Sequence, residues 1–405
     1  MVDGFPREIQ ERMISMSQAS ETDYQICTRC IHDSTVPGTV FDENGVCSYC
    51  HLYDKLDKMF PLGAEGERRL AALTDRIQRA GRGKKYDCVL GVSGGRDSTY
   101  TLYYLVKVLG LRPLTVHFND GFGNPVAGEN MKRSAERLGV DFRTITSDWR
   151  ESKDLKIAFL KASTPDLECA TDIGIATALY GAAAKENVKY VIIGQSFRTE
   201  GIAPLEWNYL DGKYLDAVHR LFGKHKLRKW TPEDPGFHLN VRHMAYYAAW
   251  RRIRAIPILY YVDYVRKDVD DIIKKEFDWV YPGAHYFDDL YQSLMFYVHR
   301  VKFGFDRRRY NYSALIRCGQ MDRAEALQRM EQVYVIEDKK VIDLCIKRLG
   351  LTEAEFAEIM KLPPKTFRDY PTQYGLIRKM RIPIWIMSRL RLLPETAYDK
   401  YFSCG

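Results

Sequence analysis

The 405-residue chain has no uninterrupted apolar run of the ~20 residues that a bilayer-spanning helix requires. Met1 to Ser20 is polar and amphipathic and lacks the apolar centre of a secretory signal, so a cytoplasmic location is expected. Internal repeats and low-complexity tracts are also missing, which argues against a solenoid. Tyrosine is abundant instead, at 27 residues, and argues against extensive disorder. Cysteine is sparse outside one block: of nine, four fall together near the N-terminus and the others are scattered. That distribution speaks against a disulfide framework and for a metal site. Hydrophobic residues at 46% and charged residues at 28% are ordinary for a globular protein, and the length allows two or three domains. A net charge of +8 suits phosphate-bearing ligands, nucleic acid or an anionic surface without choosing among them.

The stretch that organises the chain is Ser93-Gly94-Gly95-Arg96-Asp97-Ser98. Tyr86 to Val92 before it reads as a short apolar strand, and Thr99 to Leu109 after it carries apolar residues at helical spacing. The hexapeptide is therefore a strand-to-helix turn. Two glycines let the backbone gather N–H groups into one concavity, Ser93 and Ser98 add hydroxyls, and the helix adds its positive end. A phosphate is the natural ligand. Asp97 beside phosphates makes sense if Mg²⁺ lies between them, or if the carboxylate holds the loop's own amides. No Gly-Lys-Ser/Thr follows, so this is not a Walker-type loop.

Cys27-Thr-Arg-Cys30 and Cys47-Ser-Tyr-Cys50 form a CxxC…CxxC pair around turns at Pro37-Gly38 and Asn44-Gly45. Such knuckles converge four thiolates on one ion, with Zn²⁺ expected and a rubredoxin-type iron as its competitor. Four sulfur ligands leave no open position, which implies a structural site. His32 and His51 read as bystanders.

Leu52 to Gln78 reads as helical, followed by a linker at Gly81 to Lys85. Further strands are expected at Pro113–Phe118, Asp141–Thr146 and Lys189–Ile193, with helices over Trp149–Ala162 and Cys169–Glu186. The alternation predicts an α/β doubly wound parallel sheet. Ligands of such sheets lie beyond the carboxyl ends of the strands. That rule groups Ser93–Ser98 and Thr99 with His117–Asp120 and Gly194–Glu200. His117 and Asn119 would meet adenine or ribose, and Gly194, Gln195 and Ser196 would face the phosphates.

Phe197 to His243 reads as irregular and aromatic, a lid or substrate-selecting insertion. Tyr246 to Ile256 reads as a basic aromatic helix, Ile258–Val262 as a further strand, and Val265–Phe277 as a helix. The last third is mainly helical, with segments near Tyr286–Val301, Met321–Val333, Lys339–Leu349 and Thr352–Lys361. Asp306-Arg307-Arg308-Arg309 is read equally as an ion-pair cluster and as a surface for a polyanionic substrate. The basic, apolar tail Ile377–Leu393 is expected to dock on the protein's own core, with peripheral membrane contact as the lesser reading. Three parts result: an N-terminal metal module (1–60), the doubly wound domain (61–282, insertion about 197–243) and a helical substrate or partner region (283–405).

Ser-Gly-Gly-x-Asp-Ser resembles the phosphate loop of the ATP pyrophosphatase (PP-loop) superfamily, whose members split ATP into AMP and pyrophosphate. Pro37 to Cys47 (Pro-Gly-x-x-Phe-Asp-x-x-Gly-Val-Cys) and Phe303 to Leu327 (Phe-Gly-x-Asp-x-Arg-Arg…Gly-Gln-Met-x-Arg-x-x-Ala-Leu) narrow this. Together with the loop they resemble the N-acetyl sugar amidotransferase family of surface-polysaccharide and flagellar-glycan biosynthesis. The likeness departs at Pro282-Gly283-Ala284-His285, where Gly-Gly-Lys-His and a Glu-Ser pair are expected and Tyr286-Phe287-Asp288-Asp289 follows. The resemblance implies an ATP- and Mg²⁺-dependent enzyme that converts a sugar acetamido group to acetamidino through an O-adenylyl imidate. It also implies a nucleotide-sugar or other N-acetylated substrate and ammonia from a partner glutaminase subunit, with nucleic acid not expected as a partner. By position and resemblance, Asp97, Gln195, Glu200 and His285 are the catalytic candidates, and Asp306, Arg307 and Arg308 the substrate-binding ones. The rival reading is a tRNA-thiolating enzyme of the same superfamily. It needs further convergent cysteines, and only Cys169 is plausibly placed. A non-catalytic nucleotide-binding protein is the third reading, which pyrophosphate release would exclude.

Overall fold

The computed structural model describes residues 24–202, 207, 210–281, 289–333 and 337–389. Five strands form one parallel sheet in the order β3-β2-β1-β4-β5. They are β1 (Cys88–Gly91), β2 (Pro113–Asn119), β3 (Phe142–Thr146), β4 (Tyr190–Ile193) and β5 (Arg254–Pro257). β1 is central, and the chain order reverses on either side of it. The cleft beyond its carboxyl end is where such a fold holds ligands.

Alternation along the strands feeds two cores. Val89, Val116 and Val191 point to one face, against helices Trp149–Ala162, Cys169–Lys185 and Gly212–Phe222. Cys88, Leu90 and Ile192 point to the other, against Gly63–Ala80, Arg96–Tyr103 and Arg266–Phe277. Burial on both faces is why these strands read as continuous apolar runs. Local chemistry marks the helix ends. Asn124 caps the helix Pro125–Leu138 through its Val126 amide, with Pro125 in the first turn and Gly139 left-handed at the close (φ 62°). Asp148 caps Trp149–Ala162 in the same way.

The C-terminal helices share a third core with the sheet domain. Leu294, Met295 and Val298 of helix Tyr291–Phe303 pack with Phe122, Leu160 and Leu167, and with helices Lys339–Arg348 and Glu353–Lys361. Phe122 follows directly on β2. The helical region is thereby set over the carboxyl edge of the sheet.

Four expectations change. The stretch Phe197 to His243 is not irregular throughout, since Gly212–Phe222 is a helix capped by Asp211, and its Tyr214, Leu215 and Val218 are fully buried against the core. Burying such side chains is worth about 1.5–3 kcal/mol each, which makes this helix part of the core rather than a cover. The fifth strand is Arg254–Pro257, and Ile258–Tyr261 is a 3₁₀ turn. Pro257 has no amide to donate, which an edge strand tolerates. The expected helix Tyr246–Ile256 is a single π-turn, Tyr246–Trp250. The expected helix Leu52–Gln78 is two, Ser48–Met59 and Gly63–Ala80, parted at Pro61. In the described part of the tail only Ile384 is buried, while Ile382, Trp385 and Ile386 face outward. No helix among the described residues is long and apolar enough to cross a membrane.

Candidate active site

The loop Ser93–Ser98 lies at the carboxyl end of β1, as its sequence predicts. Gly94 has φ +81°, and a β-carbon there would run into the backbone of Ala127 at the start of helix Pro125–Leu138. Only glycine fits so close a crossing. The Gly94 carbonyl is turned away from the loop, accepting from Trp279 Nε1 (3.0 Å) and Asn130 Nδ2 (3.2 Å). The Ser93 amide donates to Ser98 Oγ (3.1 Å), which lies 3.1 Å from Ser93 Oγ, and the Gly95 amide donates to Ser93 Oγ (3.3 Å). No side chain caps the helix Arg96–Tyr103 that begins here. Its first turn keeps the anion-binding character of a helix N-terminus. Thr99 turns inward and is buried, so its contribution to a ligand is confined to the backbone. Arg96 is paired with Asp270 and stacks 5.4 Å from the Tyr281 ring.

Asp97 is buried and accepts from the Tyr264 hydroxyl. Its carboxyl is also hydrogen-bonded to that of Glu200, at the turn after β4. Burial first, and then the Asp97 charge, hold Glu200 well above the usual carboxylate range, against the opposing pull of Arg266. Tyr264 is raised for the same two reasons. Gly194 is packed on this group, since a β-carbon there would lie 2.9 Å from Thr101 Oγ1 and 3.2 Å from Ser98 Cα. The backbone at the end of β4 therefore abuts the helix Arg96–Tyr103. The Ser196 and Thr199 hydroxyls are buried with no hydrogen-bond partner among the described residues, and Gln195 is exposed.

On the other side of β1, His117 and Asn119 line a cleft of ≈ 350 Å³ together with Asn124, Ala127, Met131 and Arg348. Ala127 is the residue that touches Gly94, so the cleft opens beside the loop Ser93–Ser98. His117 Nδ1 lies 3.1 Å from the Val92 carbonyl, and burial lowers its pKa. Asn119 Oδ1 accepts from the Gly121 amide (3.0 Å) and shapes the turn after β2. The sheet thus brings the three expected segments to one edge. Below them, Asp120 and Lys156 form a buried ion pair of 2.7 Å. Burial opposes both charges and the pair overrides it, lowering the carboxyl and raising the amine.

The remaining candidates divide. Arg308 pairs with Asp306 (2.7 Å) and donates to the carbonyls of Gln332 (2.7 Å) and Met330 (3.2 Å), closing the end of helix Arg323–Met330. Arg309 pairs with Asp33 at 2.6 Å. The ion-pair reading describes these contacts. Arg307 differs: it lies 4.5 Å from the Phe296 ring and donates to the Tyr310 hydroxyl (2.6 Å) and to Gln292 Oε1 (3.4 Å). Tyr310 in turn adjoins Gly201, next to Glu200. His285 lies outside the described residues.

The four cysteines are fully buried, and their sulfurs lie within 4.8 Å of one another. Separations of 3.6 Å for Cys30–Cys47, 3.6 Å for Cys47–Cys50 and 3.9 Å for Cys27–Cys50 match the ~3.8 Å edge of a tetrahedron with ~2.3 Å metal–sulfur bonds. The donor set fits a single tetrahedral ion. His32 is buried beside it but is not one of the converging ligands, and His51 pairs with Asp42 at 2.8 Å. Sequence reasoning missed what holds the module in place. Arg317 donates to Cys50 Sγ and Cys30 Sγ (both 3.3 Å), and Arg323 to the Cys30 and Cys27 carbonyls (2.9 and 3.0 Å). Both arginines belong to the segment Phe303–Leu327, whose pattern was visible although its contacts were not.

Sheet order and loop together define an α/β doubly wound parallel sheet with a glycine-rich strand-to-helix turn at its carboxyl edge, joined to a four-cysteine module and a helical C-terminal region. Residues 281–381 match a family model described as LPS biosynthesis protein WbpG-like, C-terminal domain. No curated protein matches the chain. Among solved structures it is similar, at 20% identity, to the NH₃-dependent NAD synthetase of Campylobacter jejuni, over 34% of this chain and 61% of that one, with a TM-score of 0.27. NAD⁺ synthetase from Burkholderia pseudomallei is 17% identical over 57% of this chain and 95% of its own, with a TM-score of 0.28. The U34-tRNA thiolase NcsA from Methanococcus maripaludis, with its 4Fe–4S cluster, is 12% identical over 81% of this chain and 99% of its own, also at 0.28.

Proposed function

We propose that this protein is an ATP-dependent amidotransferase of glycan biosynthesis, converting a sugar acetamido group to acetamidino. The observation that carries the reading is the loop Ser93–Ser98 at the end of β1 with Asp97 and Glu200 side by side, under helices that match a lipopolysaccharide-biosynthesis domain.

The chemistry suits these residues. An amide is a poor electrophile, so its oxygen attacks the α-phosphate of ATP, releasing pyrophosphate and leaving an O-adenylyl imidate. Ammonia then displaces AMP. The loop amides and hydroxyls hold the pyrophosphate as it leaves, and the cleft at His117 and Asn119 holds the nucleoside. Asp97 offers Mg²⁺ a hard oxygen ligand, and the ion would offset charge on the phosphates. Glu200, whose carboxyl adjoins Asp97 at the loop, is the candidate group for moving a proton during the reaction. Arg307 remains a candidate for the sugar, donating to the hydroxyl of Tyr310, whose backbone adjoins Gly201. Zn²⁺ is assigned to the cysteine module, where it would supply folding energy rather than chemistry.

Ammonia is proposed to come from a partner glutaminase subunit. Cys169 is fully buried in the core and burial pushes its thiol well up, so it is unsuited to nucleophilic attack or sulfur transfer. The same observation weighs against tRNA thiolation. The test is pyrophosphate release from ATP with ammonium and a panel of N-acetylated nucleotide sugars, for wild type and Asp97→Ala. Expected is sugar-dependent release, a product one mass unit lighter, and a loss of about 10²–10³-fold in the variant. Release triggered by tRNA instead would overturn the reading.

A further inference from the structure

The side chain of Gln320 makes two backbone bonds to one short turn: Nε2 donates to the Tyr264 carbonyl (2.8 Å) and Oε1 accepts from the Arg266 amide (3.0 Å). Both residues of that turn reach the phosphate loop's acidic pair. Tyr264 donates its hydroxyl to Asp97, and Arg266 donates to the Thr199 carbonyl while its charge acts on Glu200. Gln320 is itself fixed from both sides. Arg317, three residues before it, grips the cysteine sulfurs, and Arg323, three residues after it, grips the Cys27 and Cys30 carbonyls.

We propose that Gln320 is a positioning residue for the ATP site, an amide clamp that sets Tyr264 and Arg266 against Asp97 and Glu200 from the rigid platform of the cysteine module. This deepens the functional reading above and rests on its assignment of the loop to ATP. An amide is suited to the task because it offers one donor and one acceptor in a plane, matching a carbonyl and an N–H two residues apart. A hydrocarbon of the same size supplies neither bond and releases the turn. Displacement of about 1 Å in a reacting constellation can cost ~10²-fold.

The experiment measures Mg·ATP binding by the full-length protein by calorimetry, and kcat and both KM values where turnover is found. Gln320→Met, similar in volume, is compared with Gln320→Ala, each alone and combined with Tyr264→Phe. Expected is a loss of about 10- to 100-fold in ATP affinity or in kcat/KM for ATP. The KM for the sugar and the bound metal stay as in wild type. In the Tyr264→Phe background the further loss shrinks to less than about threefold, because the two residues act through one bond. Wild-type ATP affinity in either Gln320 variant, or losses that multiply independently of Tyr264, would overturn the clamp. A wild-type protein that binds ATP but makes no amidine refutes the reaction and leaves this test intact. One that binds no ATP refutes both.

Discussion

The cysteine module and the loop Ser93–Ser98 are both short motifs that gather polar groups, yet they are built to opposite ends. The module is closed. Its four sulfurs converge at tetrahedral spacing, buried, and Arg317 covers their negative charge. The loop is open. Its helix starts uncapped, two carboxyl groups face each other, and the Ser196 and Thr199 hydroxyls find no partner among the described residues. Four converging sulfurs suit a site that contributes stability, whereas an uncapped helix end and two buried hydroxyls leave polar groups at the loop for a ligand.

Breaking the closed site has the larger effect on folding. Arg317→Leu removes a buried guanidinium from beside the thiolates and leaves their charge uncompensated, at a cost of about 3–5 kcal/mol. The expected outcome is a lowered unfolding midpoint and weaker metal retention against a chelator, with Arg317→Lys between leucine and wild type because it keeps the charge but loses the fork. Unchanged stability and metal affinity in Arg317→Leu would mean that the module does not depend on its neighbour.

The open site should declare itself through pH. Glu200 takes up a proton in the native state where the unfolded chain has already released it, because its folded pKa is raised. Stability is therefore fullest below the unfolded value and is lost as pH rises from the ordinary glutamate range toward the raised one. Across that window the loss is about 1.4 kcal/mol per pH unit. Glu200→Gln carries no such proton, so its stability curve should be flatter, meeting wild type near pH 4 and lying above it at pH 8. Urea melts at the two values check this. Parallel curves would show that the carboxyl pair is not held as described.

Much of this was legible because it is local. Ser93–Ser98 and the CxxC pairs declare their turns within a few residues, and β1, β2 and β4 were readable from apolar runs. What was hidden is long-range. Tyr264 reaches Asp97 across 167 positions, and Arg317 reaches Cys50 across 267. Neither has a signature of its own in the sequence, although Gln320 and Arg317 sit in a segment whose pattern stood out. The helix Gly212–Phe222 had its signals, an Asp211 cap and apolar residues at 214, 215, 218 and 222, but they lie among aromatics and prolines that read as loop.

The smallest effect is expected at Gln195, which position and resemblance made a catalytic candidate. It follows Gly194, whose backbone is pressed against Ser98 and Thr101, yet its own side chain is exposed. An exposed amide next to a tight crossing adds little to folding, so Gln195→Ala should stay within about 0.5 kcal/mol of wild type in stability. In the open site described here it should also change pyrophosphate release by less than about threefold, far from the loss expected at Asp97. A fall of ~10²-fold with stability intact would carry the opposite lesson. It would mean that the open arrangement closes on its ligands and brings Gln195 inward, making the loop Ser93–Ser98 a site finished by substrate, as the cysteine module would be by a metal.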